Sequence, residues 1–222
     1  KAEWLLRNYA DDLLISLQGF NSVSEKRLTR SATDFKQKIN NIVRLNSRIA
    51  RVRLGTIISQ TLINNFSKYF YLIKSLRIKN WGLFRPMSGI KSEEFNVTPA
   101  DLKKLMREIE AKKRQGHDIM IANALPFCIT TDRALSHHVL SGAEFDDGHS
   151  RLVVDVQGFL KPSYFISENL GLTIKKAWER PFMKKIHSSD YLPKKCQSCR
   201  SLRWCKGGSR HWAKIAHNDY FS

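Results

Sequence analysis

Cys196-Gln-Ser-Cys199-Arg-Ser-Leu-Arg-Trp-Cys205-Lys-Gly-Gly-Ser209-Arg210 holds three of the four cysteines of this 222-residue chain, at C-x2-C-x5-C spacing. Two thiolates separated by two residues can grip one metal ion or one cluster edge, because the turn between them points both sulfurs inward. The third follows within one short loop. Gly207 and Gly208 then let the backbone pass close to whatever is bound. Lys194, Lys195, Arg200, Arg203, Lys206 and Arg210 surround the thiols. Their charge is expected to lower thiol pKa and to offset a thiolate-bound centre. Clustering of this kind points to a metal or cluster site rather than to scattered free thiols. Spacing alone leaves zinc and iron–sulfur both open.

Upstream of that stretch, Thr173–His187 reads as a helix interrupted near Pro181. Arg151–Asp155 and Phe159–Ile166 flank Gln157-Gly158, a hairpin signal, and Asp146–His149 reads as a turn-rich loop. Before Pro126 the texture is different. Leu13–Leu17, Val52–Ile58, Trp81–Phe84 and Asp118–Ala122 are short apolar runs of strand length. Between them lie helical stretches. One opens at Thr33-Asp34 and spaces Phe35, Ile39, Ile42, Val43 and Ile49 on one face. A second spans Leu62–Leu76. A third opens at Thr98-Pro99-Ala-Asp101, lines up Leu102, Leu105, Met106 and Ile109, and stops at Gly116. Strands alternating with helices predict an α/β fold with a parallel sheet, open or part of a barrel. A boundary near Phe127 divides the chain into domains 1–127 and 128–222. Lys1–Tyr9 reads as the end of a helix, so the chain is expected to begin inside an element.

In parallel sheets ligands meet the C-terminal strand ends. Ser16, Gln18, Thr56 and Arg85 lie at or near those ends; each also reads as a satisfied polar residue of a βα loop. The formal net charge of +18 suits nucleic acid, an acidic peptide or an acidic protein surface, or serves only as a repulsive basic surface. The cations are spread along the chain, so composition does not choose among these. An apolar fraction of 42% suffices for a real core. No run approaches the ~18 residues of a membrane span, no signal peptide opens the chain, and sparse clustered cysteines argue against a disulfide framework. The expected setting is therefore cytoplasmic, with no membrane partner.

The order of motifs resembles radical SAM enzymes with a twitch/SPASM-type C-terminal domain. The hairpin Leu152–Pro162, Asn169-Leu-Gly171, Ala177-Trp178, Pro181-Phe182 and then C-x2-C-x5-C follow one another as they do there. Ile15-Ser16-Leu17-Gln18-Gly19 looks like that family's Ser-Leu-Asp-Gly strand end, with Gln18 in place of Asp. Arg30-Ser-Ala-Thr-Asp-Phe35 looks like its Arg-Gly-x-x-x-Phe, and Gly55-Thr-Ile-Ile58 with Asn64 or Asn65 looks like the next strand and its Asn. Two ligand positions of the family's first auxiliary cluster hold Ser163 and Ser209 here, which implies that this cluster is missing. Cys196, Cys199 and Cys205 match three ligands of the second. The C-x3-C-x2-C motif of the catalytic cluster does not occur in these 222 residues.

The resemblance implies the C-terminal part of a partial (β/α)6 TIM-like barrel, followed by a small α+β cysteine-cluster domain. It implies S-adenosylmethionine bound near Ser16, Gln18, Arg30, Thr56, Asn64 and Arg85, together with the N-terminal remainder of the barrel. It also implies an auxiliary [4Fe–4S] cluster and a substrate that is an acidic peptide or a small metabolite. Either the chain is part of a longer enzyme, or it is a remnant that cannot cleave S-adenosylmethionine. Cys128 is the candidate fourth ligand, or a small packed residue; His211 and His217 could complete a zinc site instead. The alternative from another class is a zinc-stabilised nucleic-acid-binding module, supported by the charge and by Trp204, Trp212 and Tyr220 among basic residues.

Overall fold

The computed structural model describes residues 4, 8, 10–31, 34–49, 51–86, 92–143 and 147–221. The helix end expected over Lys1–Tyr9 lies largely outside them, as do Ala32, Thr33 and Asp146. The chain divides into two compact units, residues 1–121 and 122–222.

The first unit is a four-stranded sheet, β1 (Asp12–Ser16), β2 (Arg51–Ile57), β3 (Asn80–Phe84) and β4 (Asp118–Ile121), in sequence order. All three pairings are parallel, with Leu13 opposite Val52, Leu54 opposite Trp81 and Trp81 opposite Ile119. The expected parallel arrangement is thus observed. Leu54, Leu83 and Ile121 are fully buried, with Trp81 nearly so. These runs form strands because β-branched and aromatic side chains fill a pleated surface packed by helices.

The helices are α1 (Ser22–Thr29), α2 (Phe35–Asn46), α3 (Gln60–Asn64), α4 (Phe66–Ser75) and α5 (Pro99–Lys113). α5 starts as the sequence dictates: Thr98 and Asp101 form a reciprocal capping box with Pro99 in the first turn. Its face of Leu102, Leu105, Met106 and Ile109 is buried. It ends at Lys113, and Gly116 N–H closes a further turn onto Lys113 O.

Three details differ from expectation. The segment Leu62–Leu76 is two helices, because Asn65 leaves helical geometry (φ −130°, ψ 26°) and its Nδ2 donates to Thr61 O. That local bond competes with continuation of the helix. α2 stops at Asn46, capped at its start by Asp34, so Ile49 is buried from the following turn rather than from the helix, and Val43 is half exposed. α1 was not foreseen; Asn21 and Ser24 cap it with a box of their own.

The second unit has little sheet. β5 (Val153–Val154) pairs antiparallel with β6 (Leu160–Lys161), the expected hairpin. Asp155 Oδ1 accepts from the N–H groups of Gln157 and Phe159, which holds the turn. The helices are α6 (Arg133–Val139), α7 (Ile174–Trp178), α8 (Pro181–Ser188), α9 (Lys194–Gln197), α10 (Leu202–Cys205) and α11 (Arg210–His217). The break expected near Pro181 separates α7 from α8. Leu160, Leu170, Ala177, Met183 and Ile186 form the core, with Leu152, Trp178, Phe182 and Phe221 packed on it. Among the described residues no helix is long and apolar enough to cross a membrane.

Candidate metal centre

Turns rather than long elements position the cysteines. Cys196 sits in α9, whose first turn closes from Cys196 N–H to Pro193 O at 2.7 Å. Cys199 N–H donates to Cys196 O at 3.0 Å, so one tight turn links the first two; two more, Leu202 N–H onto Cys199 O and Cys205 N–H onto Ser201 O at 2.9 Å, lead to the third. Lys206, Gly207 and Gly208 then run through three successive left-handed conformations. Gly207 has φ 76°, a left-handed angle that favours glycine, and a Cβ there would press on the Leu192 side chain, 2.4 Å from Cδ2. Cys128 comes from a distant part of the sequence, in the 3-10 turn Phe127–Ile129 closed by Ile129 N–H onto Pro126 O.

All four thiols line one cavity of about 410 Å³, together with Phe127, Leu202 and the cations Arg133 and Lys195. All are free, with Cys128 exposed and the other three half-buried. The Phe127 N–H donates to Cys205 Sγ at 3.4 Å, the geometry of an N–H···S bond. The Cys196 thiol is pushed above its ordinary pKa by burial first, then by Cys128, Cys205 and Cys199; Lys195 opposes this. This corrects the expectation that basic neighbours dominate. The neighbouring thiols thus disfavour ionisation of Cys196, a penalty that a bound cationic centre would remove.

Four cysteine thiolates are ligands that suit either zinc or an iron–sulfur centre. Among the described residues no group of three or more His, Cys, Asp or Glu side chains is placed to hold a single metal ion. His211 packs by its ring against Phe165 and His217 is exposed at the end of α11; neither lines the cavity. Ser163 is buried, with its hydroxyl accepting from Phe165 N–H, and Ser209 precedes α11.

The candidates in the first unit are placed less uniformly. Ser16 ends β1 and is exposed. Gln18 ties adjacent strand ends: its Oε1 accepts from Ile57 N–H at 2.8 Å and its carbonyl accepts from Tyr69 Oη at 2.7 Å. Burial, then Glu25 and Glu94, raise the Tyr69 pKa, so that hydroxyl stays a donor. Thr56 is fully buried; its hydroxyl donates to Leu17 O and accepts from Trp81 Nε1, which makes it a strand-tying group. Arg30 is the exposed left-handed cap of α1, and Asn64 is exposed at the end of α3. Arg85 is half-buried just past β3, and burial lowers its pKa to about 10. Glu25 escaped notice in the sequence. It is buried and accepts from the Gln18 and Gly19 N–H groups at 2.8 and 2.5 Å and from Lys38 Nζ, fixing the loop after β1. Only the Asn21/Ser24 cap could have placed it on a helix facing that loop.

No protein-family model and no curated protein matches the chain. Solved structures do. One is anSMEcpe with bound AdoMet and Cp18Cys peptide, with TM-score 0.64 at 15% identity over 95% of this chain and 63% of that one. Streptococcus suis SuiB bound to S-adenosylmethionine matches with TM-score 0.66 at 15% identity over 94% of this chain and 52% of its own. SuiB bound to precursor peptide SuiA matches with TM-score 0.65 at 16% identity, covering 95% and 51%. These neighbours are radical SAM enzymes. The likeness is one of fold, and this chain spans between half and two thirds of their length.

Proposed function

We propose that this chain is the C-terminal part of a radical SAM enzyme that modifies a peptide. In this reading the four parallel strands are the later βα units of a partial (β/α)6 barrel. The second unit is a twitch/SPASM-type domain with one auxiliary [4Fe–4S] cluster. The observation that carries it is the gathering of Cys128, Cys196, Cys199 and Cys205 around one cavity, in a chain whose fold matches structures that hold AdoMet.

A cluster held there would supply one-electron chemistry. The chain's own residues do the rest. The four thiolates hold the irons. Phe127 N–H donates to one sulfur, Arg133 and Lys195 would offset negative charge, and Phe127 and Leu202 supply apolar lining. Ser163 and Ser209 leave no second cluster, since serine oxygen is a harder, poorer ligand for iron–sulfur centres. Ser16, Gln18, Arg30, Asn64 and Arg85 border the S-adenosylmethionine pocket, and Thr56 supports it from within the sheet. A preceding segment supplies the catalytic cluster. The basic surface suits an acidic peptide.

Anaerobic reconstitution tests this. About four iron and four sulfide per chain with a brown colour are expected; about one zinc and no colour would transfer support to the nucleic-acid-binding alternative. Cys128→Ser is the sharp variant. It should lose the cubane spectrum; an unchanged spectrum and iron content would make Cys128 a packed residue and move the fourth ligand elsewhere. Incubated with reductant and S-adenosylmethionine, these 222 residues alone should release no 5′-deoxyadenosine; release would overturn the reliance on a preceding segment.

A further inference from the structure

We propose that Ser136 and His137, neighbours on α6, are positioning residues that set the spacing of the four thiols. The inference rests on the cluster reading above but not on any bound metal. Cys128 and the C-x2-C-x5-C stretch are more than sixty residues apart in the sequence, and something must hold them face to face. α6 does so with adjacent side chains. Ser136 is fully buried, and its Oγ donates to Phe127 O at 2.8 Å. That bond fixes the carbonyl of Phe127, the residue before Cys128, and the N–H of the same Phe127 donates to Cys205 Sγ. His137 Nε2 lies 2.9 Å from Oγ of Ser201, a buried residue between Cys199 and Cys205. The His137 ring meets Phe127 and Trp204 edge-on, at 4.8 and 4.9 Å between centroids.

The same segment grips the cysteine stretch again at its end. Ala143 N–H donates to Trp204 O at 2.9 Å, and Gly142 approaches that carbonyl so closely that a Cβ would lie 2.5 Å from it. Asp132 caps the start of α6 through Leu135 N–H, so the clamp is anchored at both ends. One short helix thus holds the Cys128 turn with one residue and the Cys199–Cys205 loop with the next. Four thiols drawn from separate turns need such a frame if they are to face one cavity before irons arrive. Groups that orient metal ligands in this way typically change metal affinity 10–100-fold when lost.

The test uses the full chain and two readouts. In the metal-free chain, hydrogen exchange at the Phe127 amide reports the N–H···S contact. It should speed up about tenfold or more in Ser136→Ala and in His137→Phe, which keeps the ring packing but loses the ring nitrogens. In the reconstituted chain, loss of iron to a chelator should quicken by roughly 10–100-fold. Ser136→Thr and His137→Gln, which can restore the hydrogen bonds, should recover most of both. Should Ser136→Ala fail to fold, Ser201→Ala removes the His137 contact from the other side, and its effect should not add to that of His137→Phe. Folded variants with wild-type exchange at Phe127, or with altered exchange but wild-type metal retention, would overturn the proposal. If the wild-type chain takes up no iron, the cluster reading falls. The positioning is then judged by exchange and by cadmium(II) affinity, where no difference between wild type and variants would reject it.

Discussion

The two units solve the same problem by different means. In residues 1–121 each strand lies beside the next in sequence, and long apolar runs bury one another. In residues 122–222 the longest helices among the described residues have eight residues, and the sheet is a two-residue ladder. Its buried apolar side chains, among them Leu125, Val139, Ile166, Leu170 and Met183, come from short elements and turns, and single hydrogen bonds between distant turns add to their packing. A unit of such short elements gains most from whatever its cysteines hold, whereas the sheet unit packs through longer strands and helices.

That contrast breaks or sharpens under mutation. The largest effect is expected from Cys199→Ser. It should abolish iron binding and raise amide exchange throughout residues 122–222, while protection of β1–β4 stays within about twofold of wild type. Equal loss of protection in the sheet would mean that both units depend on the centre. Leu105→Ala, on the buried face of α5, should do the reverse. It should cost about 2–5 kcal/mol in urea unfolding of the sheet unit and leave iron content unchanged. A smaller effect concerns pH. Burial, then Lys206, His187 and Arg210, hold the His149 pKa down at about 4, against an ordinary 6.5. The folded chain therefore binds fewer protons than the unfolded chain between those values. The stability tied to neutral His149 is present above pH 6.5, declines as pH falls, and is gone below about 4, a change on the order of 3 kcal/mol at most. Urea midpoints of the metal-free second unit's signals at pH 7 and 4.5 check this. His149→Gln should flatten the slope, and an unaltered slope would locate the acid sensitivity elsewhere.

The sheet was legible because its signals are local. Thr98-Pro99 announces α5, and Trp81–Phe84 and Asp118–Ala122 are apolar runs of strand length with helices between them. What escaped reading depends on partners far away in the chain. The break at Asn65 turns on a side-chain bond to Thr61 that leucine and aromatic periodicity does not register. Thr56 read either as a ligand-facing strand end or as a satisfied polar residue, and only the contacts with Leu17 and Trp81, distant in sequence, show its hydroxyl to be occupied. In the second unit the hairpin and the cysteine spacing were plain. Cys128 stood open there, as fourth ligand or as a packed residue; the His137–Ser201 contact and the upward shift of the Cys196 thiol were not legible, because each arises only once separate turns meet.

Gly142 has a genetic consequence. Every missense change of a glycine codon adds a Cβ, and here that atom would arrive 2.5 Å from the Trp204 carbonyl oxygen, at a backbone φ of 76°. Neither the collision nor the backbone angle is relieved by choosing a smaller side chain, since alanine already carries the offending carbon. In a saturation library screened for retained iron, codon 142 should therefore return glycine alone.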